Sequence, residues 1–351
     1  MTRSAAALLP ALVLLATASA AVAQTPVPTS AVPAPTSAVP PTTAVPAPTT
    51  PPAPVPAPAP AQGTLGLTLG QVNGKSAAVL AGDRFRVRGA VRPFVAGQTV
   101  VVRFYRGSRK LATRKVAIKA TKGGTNGEFV LGYTPTGAGH ITVRASHRAT
   151  AALATMVAKG RGVDVLRPRA LPGSTGLVVR LLQRKLKALG YVTGRPGDYD
   201  ARTARAVLAF RKVTGMARIQ LATEDVFRRL ARGGGHFKVR FPKQGKHVEA
   251  DLSLQVLALI RGSKVERIYP ISSGKPSTPT VLGTFRVYSK TPGTNAKGMV
   301  FTSYFHGGYG IHGYAEVPTY AASHGCLRAP VPDAVPIFNW IAYGDPVDVY
   351  L

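Results

Sequence analysis

Ile311-His312-Gly313-Tyr314 and, a short way downstream, Ala322-Ser323-His324-Gly325-Cys326-Leu327-Arg328 form the stretch from which the rest of the chain is read. It holds the only cysteine in 351 residues and two of the seven histidines. A thiol is an effective nucleophile only as thiolate, and a nearby imidazole is the usual means of generating one near neutral pH. Gly313 and Gly325 let the backbone come close to whatever lies between them. The alternative is a buried, inert cysteine flanked by incidental histidines. The glycines, Ser323 and Arg328 clustered around the sulfur argue for a working residue.

The N-terminus explains why a lone cysteine is informative. Residues 1–23 read as a secretory signal: Arg3 gives the positive start, Ala5 to Ala16 an apolar core, and Ala21-Val22-Ala23 a small-x-small cleavage site before Gln24. The apolar run falls short of the roughly 20 residues of a membrane span, and no later segment reaches that length. After signal cleavage the mature protein is expected to lack an integral span; left uncleaved, the segment is an N-terminal anchor. The protein's expected location is secreted, in the cell wall or on the periplasmic side of the envelope. In an oxidising compartment one cysteine has no intrachain partner and is open to oxidation, so its presence favours a function.

Residues 24–62 form a Pro/Ala/Thr-rich tract with almost no charge. Proline removes backbone donors and favours polyproline II, which predicts a disordered, semi-rigid linker of about 3.1 Å per residue. Residues 63–159 change character. Phe85–Arg88, Thr99–Tyr105, Lys115–Ile118, Glu128–Leu131 and His140–Arg144 are alternating or β-branched runs, separated by turn signals such as Asn126-Gly127. Their spacing predicts an immunoglobulin-like β-sandwich, built on pattern alone, that serves either wall binding or spacing. Gly160 to Gly173 reads as a linker containing Pro168 and Pro172.

Residues 174–233 have helical periodicity. Val178, Leu181, Leu182, Leu186 and Leu189 recur at three- and four-residue steps, with Ser174 as the expected cap and Gly190 as the stop. Asp200 opens a second helix with Ala204, Val207, Leu208 and Phe210 inward, and Thr223-Glu224-Asp225 a third. Leu182-Gln183…Leu189-Gly190-Tyr191 and Gly197-Asp198-Tyr199-Asp200…Thr203…Ala206-Val207…Phe210 make this block resemble the three-helix peptidoglycan-binding module of wall enzymes. Arg211 stands where that family usually has Gln, and Ile219-Gln220-Leu221-Ala222 where it usually has a glycine-containing turn.

Residues 236–351 return to a strand pattern: Lys238–Phe241, Leu252–Ile260, Val265–Ile271 and Thr284–Tyr288, with Gly262-Ser263 as a hairpin turn. Asp333 to Ala342 is expected to be helical, and Pro346 to Leu351 a closing strand. Here Ile311-His312-Gly313…Ser323-His324-Gly325-Cys326-Leu327-Arg328, with Ser273-Gly274-Lys275, Thr278-Pro279-Thr280 and Gly283-Thr284-Phe285 upstream, resembles the signature of YkuD-type L,D-transpeptidases. The resemblance covers about a third of the chain. It implies a mostly-β catalytic domain and acyl transfer from a peptidoglycan tetrapeptide stem, cut between a diamino acid and D-Ala, to an amine.

Carried over by position, the resemblance makes Cys326 the nucleophile and His312 the base, with Gly313 orienting the imidazole through its carbonyl. Backbone N–H groups around Gly325 and Cys326 are expected to hold the oxyanion. His324 shapes the pocket or joins that hole, and Ser323 and Arg328 position. Tyr304, Tyr309 and Tyr314 are candidates for the substrate groove. If water replaces the amine, the same site is an L,D-carboxypeptidase; if turnover is lost, the protein is a wall-binding one. No metal or other cofactor is called for, although His306, His312, His324 and Cys326 can be written as a zinc site whose spacing fits no common zinc pattern.

The formal charge of +31 and pI near 11.1 would suggest nucleic acid, but export and the lack of a nucleic-acid motif point elsewhere. Peptidoglycan stem peptides, glycan and anionic wall polymers are the expected partners.

Overall fold

The computed structural model describes residues 58–74 and 77–351. The signal sequence and most of the proline-rich tract lie outside the described residues. The last residues of that tract are already docked: Ala61 N–H donates to Ala152 O at 3.0 Å, and Ala154 N–H to Ala61 O at 3.0 Å.

Strict alternation builds the first β domain. Phe85–Arg92 reads buried, exposed, buried, exposed throughout, so Phe85, Val87 and Val91 face inward and the arginines between them face water. One sheet runs Thr64–Gly70, Phe85–Arg92, Gly127–Tyr133, Lys119–Ala120. The other runs Ala78–Leu80, Arg161–Leu166, Gly139–His147, Thr99–Arg106, Arg109–Ala117. Side chains of both sheets share one core around Phe85, Phe104, Phe129, Ile141 and Val163. Arg161–Leu166, read from sequence as linker, is a strand that pairs antiparallel with Gly139–His147 and parallel with Ala78–Leu80. Val163 and Val165 fill the core, and the alternation there is too brief to register in a short window.

Three helices follow: α1 (Leu177–Ala188), α2 (Ala201–Val213) and α3 (Glu224–Ala231). Asp200 caps α2, its carboxylate accepting Thr203 N–H at 2.7 Å. Ser174 does not cap α1. Its hydroxyl accepts Leu171 N–H in the preceding turn, and Gly176 occupies the cap. The two departures from the peptidoglycan-binding pattern are linked, because buried Arg211 donates from Nε to Leu221 O at 2.8 Å and also pairs with Asp225. The guanidinium thus ties the loop before α3 to α2.

The C-terminal domain stacks two sheets. The first has strand order Lys264–Pro270, Val256–Arg261, Lys246–Asp251, Pro346–Tyr350, Gly283–Arg286; the second Ser289–Thr294, Val300–His306, Tyr309–Tyr314, Leu327–Pro330. Leu257, Leu259, Tyr269, Phe305, Ile311 and Leu327 fill the space between them. Val256, Ala258, Ile260 and Ile268 point the other way, into the core of the three helices. The run Val256-Leu257-Ala258-Leu259-Ile260 is apolar at every position because it is buried on both faces. The helical module is therefore a third layer of this domain. Helix α4 (Val331–Trp340) packs on the second sheet.

Two expected strands are redrawn. Lys238–Phe241 joins no ladder, because the buried Glu249 carboxylate takes the Arg240 and Phe241 N–H groups at 2.8–3.0 Å. Leu252–Gln255 is a turn, with Gln255 at φ +57° and Leu254 N–H on Asp251 Oδ1, and the strand starts at Val256. No helix among the described residues is long and apolar enough to cross a membrane.

Candidate active site

The second sheet of the C-terminal domain carries the motif. Tyr309–Tyr314 and Leu327–Pro330 run parallel, with Ile311 opposite Leu327 and His312 opposite Arg328. Cys326 immediately precedes the second of these strands. His312 and Cys326 line one cleft of about 780 Å³, together with Tyr304, Tyr314, Ser323, His324 and Arg328.

His312 is 3 % exposed and its Nδ1–H donates to Gly313 O at 2.9 Å. That bond fixes the tautomer, leaving Nε2 as the basic nitrogen. A side chain at 313 is impossible without movement: a Cβ would sit 2.6 Å from Ala334 Cβ on α4 and 3.2 Å from Val300 Cβ. Burial pushes the His312 pKa down, the Gly313 bond opposes this, and the Arg328 charge adds to the lowering. Burial pushes the Cys326 thiol up, against the Gly310 backbone donor and the charges of Arg328 and Lys297. Burial thus disfavours the charged form of both groups. The thiol hydrogen is directed to Gly308 O at 3.6 Å.

The cysteine loop is built from polar contacts. Ser323 Oγ donates to Cys326 O at 2.6 Å and accepts Gly325 N–H at 3.1 Å. Thr280 Oγ1 donates to Gly325 O at 2.7 Å and accepts Gly274 N–H at 2.9 Å. Ser273 O accepts both Ala322 N–H and Ser323 N–H, at 2.8 and 2.9 Å. The upstream Ser273-Gly274 and Thr278-Pro279-Thr280 segments are thus the floor under the loop. Gly325 has φ +115°, and a Cβ there would meet the Tyr309 ring at 2.4 Å.

Two expectations change. Gly325 N–H is taken by Ser323 Oγ, which removes it from the oxyanion donors in this conformation. Tyr309 is not among the cleft residues but packs beneath Gly325, whereas Tyr304 and Tyr314 do line the cleft. Arg328 stacks its guanidinium 4.0 Å from the Tyr314 ring. His306 lies 4.9 Å from the Phe285 ring and outside the cleft, and among the described residues no three His, Cys, Asp or Glu side chains gather as metal ligands.

Sequence reading missed part of the cleft lining. Asn295, Ala296, Lys297 and Met299 belong to it. Asn295 Oδ1 accepts Lys297 N–H at 3.0 Å and Met299 N–H at 3.1 Å, a local turn that holds Lys297 there. The Asn295…Gly298 spacing was a usable turn signal, but nothing in it linked the turn to a cysteine thirty positions away.

A cysteine and a carbonyl-oriented histidine facing one polar cleft mark this domain as an enzyme's rather than a passive β module. Residues 245–349 match the L,D-transpeptidase catalytic domain (YkuD), and residues 175–217 match a peptidoglycan binding domain. The chain carries a YkuD-type L,D-transpeptidase catalytic domain. It is 29 % identical over 126 residues to L,D-transpeptidase 1 of Mycobacterium tuberculosis, across 28 % of this chain and 48 % of that protein. The chain thus spans about half the length of the curated relative it matches. Among solved structures, an L,D-transpeptidase from Xylanimonas cellulosilytica is 33 % identical, across 52 % of this chain and 97 % of that one, with TM-score 0.48. The catalytic domain of an Enterococcus faecium L,D-transpeptidase is 30 % identical, across 30 % and 98 %, with TM-score 0.27.

Proposed function

We propose that this chain is an exported L,D-transpeptidase that crosslinks peptidoglycan through a thioester on Cys326. The observation that carries the reading is the shared cleft of Cys326 and His312, with His312 Nδ1 held by Gly313 O so that Nε2 is the basic atom. His312 Nε2 takes the thiol proton as sulfur attacks the carbonyl between the diamino acid and D-Ala of a tetrapeptide stem. The C–N bond then breaks, the imidazolium returns the proton to the D-Ala amine, and a thioester remains. An acceptor amine attacks that thioester, loses its proton to the same nitrogen, and restores the thiol. Because burial favours the neutral form of both groups, proton transfer accompanies the attack of sulfur on the carbonyl.

Cys326 N–H and His324 are the oxyanion donors in this reading, since Gly325 N–H is engaged. Lys297 and Arg328 give the cleft two cations suited to stem carboxylates. The strand order of the first β domain supports an immunoglobulin-type sandwich, with sheets corresponding to A-B-E-D and A′-G-F-C-C′. In this reading it spaces the enzyme from its export signal, the helical module contributes glycan affinity, and the net charge of +31 draws the protein to anionic wall polymers.

Incubation of the protein with a purified stem tetrapeptide, followed by mass spectrometry, tests the assignment. The expected result is release of D-Ala and an acyl adduct on Cys326 that transfers to an added amine, with no adduct on Cys326→Ala. Release without transfer would make the enzyme a carboxypeptidase. Turnover by Cys326→Ala would remove the nucleophile assignment.

A further inference from the structure

Helix α2 belongs to the peptidoglycan-binding module, yet it reaches both halves of the acyl-transfer site. Its Lys212 is 2 % exposed and, among the described residues, forms no ion pair with a carboxylate. Lys212 Nζ donates instead to Gln255 O at 3.0 Å and Ile271 O at 2.9 Å. Gln255 in turn holds Ser273: its Oε1 accepts Ser273 N–H at 2.9 Å and its Nε2 donates to Ser273 Oγ at 2.6 Å. Ser273 O accepts Ala322 and Ser323 N–H, and Ser323 Oγ holds Cys326 O. Each link is a hydrogen bond between buried or half-buried groups, from the module to the nucleophile.

The second arm starts a few residues earlier on the same helix. Arg205 clasps Asp333 with Nε–Oδ2 at 2.7 Å and Nη2–Oδ1 at 3.3 Å, and Arg202 adds a contact at 3.5 Å. Asp333 is 2 % exposed in the first turn of α4. The next residue, Ala334, closes against Gly313, whose carbonyl orients His312.

We infer that α2 is a positioning element of the active site, with Lys212 fixing the cysteine loop and Arg205 fixing the base through α4. The inference rests on the acyl-transfer reading above. Nothing about glycan affinity requires a buried lysine facing two catalytic-domain carbonyls, and a simple tether would not need contacts that lead to Ser273 and Gly313. A displacement of about 1 Å between nucleophile and base costs on the order of 10²-fold in rate, so modest contacts of this kind matter to chemistry.

The test uses the full chain and a carbapenem as acylating probe, with the limiting acylation rate, the half-saturating concentration and the final adduct stoichiometry read by mass spectrometry. Lys212→Met and Arg205→Met should each reach one adduct per chain, with the limiting rate down by about tenfold or more and half-saturation little changed. Arg184→Met, which removes a module contact to Asn73 that leads nowhere near the site, should match wild type. Wild-type limiting rates in both variants would overturn the inference. So would lowered stoichiometry at an unchanged rate, the mark of a merely destabilised scaffold. If Lys212→Met does not fold, Arg205→Met, in which Arg202 still faces the buried Asp333, decides alone. Failure of wild type to form any Cys326 adduct would instead sink the acyl-transfer reading, and this inference with it.

Discussion

His312 and Arg328 are direct partners across a parallel strand pair, so a permanent cation stands beside the imidazole that the proposed chemistry needs neutral. The same guanidinium lowers the pKa of the Cys326 thiol. It thus favours the proton-accepting form of one group and the ionised form of the other, while burial acts with it on the histidine and against it on the cysteine. Stacking on Tyr314 at 4.0 Å keeps the charge in register.

The pH profile follows. Because the folded His312 pKa is depressed, the base stays neutral to below the ordinary histidine range, and the acid limb of the acylation rate should lie below about 6.5. Arg328→Gln removes a cation, which lets the imidazole hold its proton to higher pH, so the acid limb should move upward. Alkylation of Cys326 by a small neutral reagent should move to higher pH in the same variant. His312→Gln should lose about 10²- to 10⁴-fold in acylation while keeping alkylation at high pH. An acid limb unmoved in Arg328→Gln would show that the guanidinium does not act on the base.

Gly313 packs against α4 and, in the proposed acyl-transfer mechanism, also orients the base. Gly313→Ala puts a methyl 2.6 Å from Ala334 Cβ, so strand and α4 must separate. Overpacking of this kind costs about 1–3 kcal/mol, and the displaced carbonyl releases His312 Nδ1–H. The expected outcome is a lowered Tm together with an acylation rate reduced beyond what the unfolded fraction explains. Equal losses in the two would assign the glycine to stability alone.

The contrast between what was legible and what was not has a physical basis. Alternation along Phe85–Arg92 and the apolar spacing of Val178 to Leu189 gave their elements directly, because one face of each is buried and the other wet. Cys326, His312 and Gly313 stood out by residue type and spacing. Most of the sheet that carries them did not: Ser289–Thr294 is largely exposed, and Val300–His306 is broken by register shifts that blur its alternation. Lys238–Phe241 looked like a strand because its side chains alternate, but its amides belong to a carboxylate. The Lys212 and Arg205 contacts were hidden for a different reason. On a helix read as an independent module, a basic residue signals a wet face, and only docking against the neighbouring sheet makes it structural.

Lys212 gives the fold a pH dependence of its own. Burial and, secondarily, Arg218 push its pKa down to about 7 in the folded protein, whereas an unfolded lysine keeps its proton to about 10.5. Between those values the unfolded chain binds the extra proton, so this group makes stability rise with pH. Below about 7 both states are protonated and the cost of burying the ammonium is felt in full. Unfolding of wild type and Lys212→Met, followed by denaturant titration at pH 6, 7, 8 and 9, isolates the effect as a difference between the two. The wild type should gain on the variant by roughly 1.4 kcal/mol per pH unit above 7, about 2–3 kcal/mol by pH 9, and by little between 6 and 7. Parallel curves from pH 6 to 9 would mean that the lysine keeps its proton within the fold. The two carbonyls of Gln255 and Ile271 would then suffice to hold a full charge between the module and the catalytic sheet.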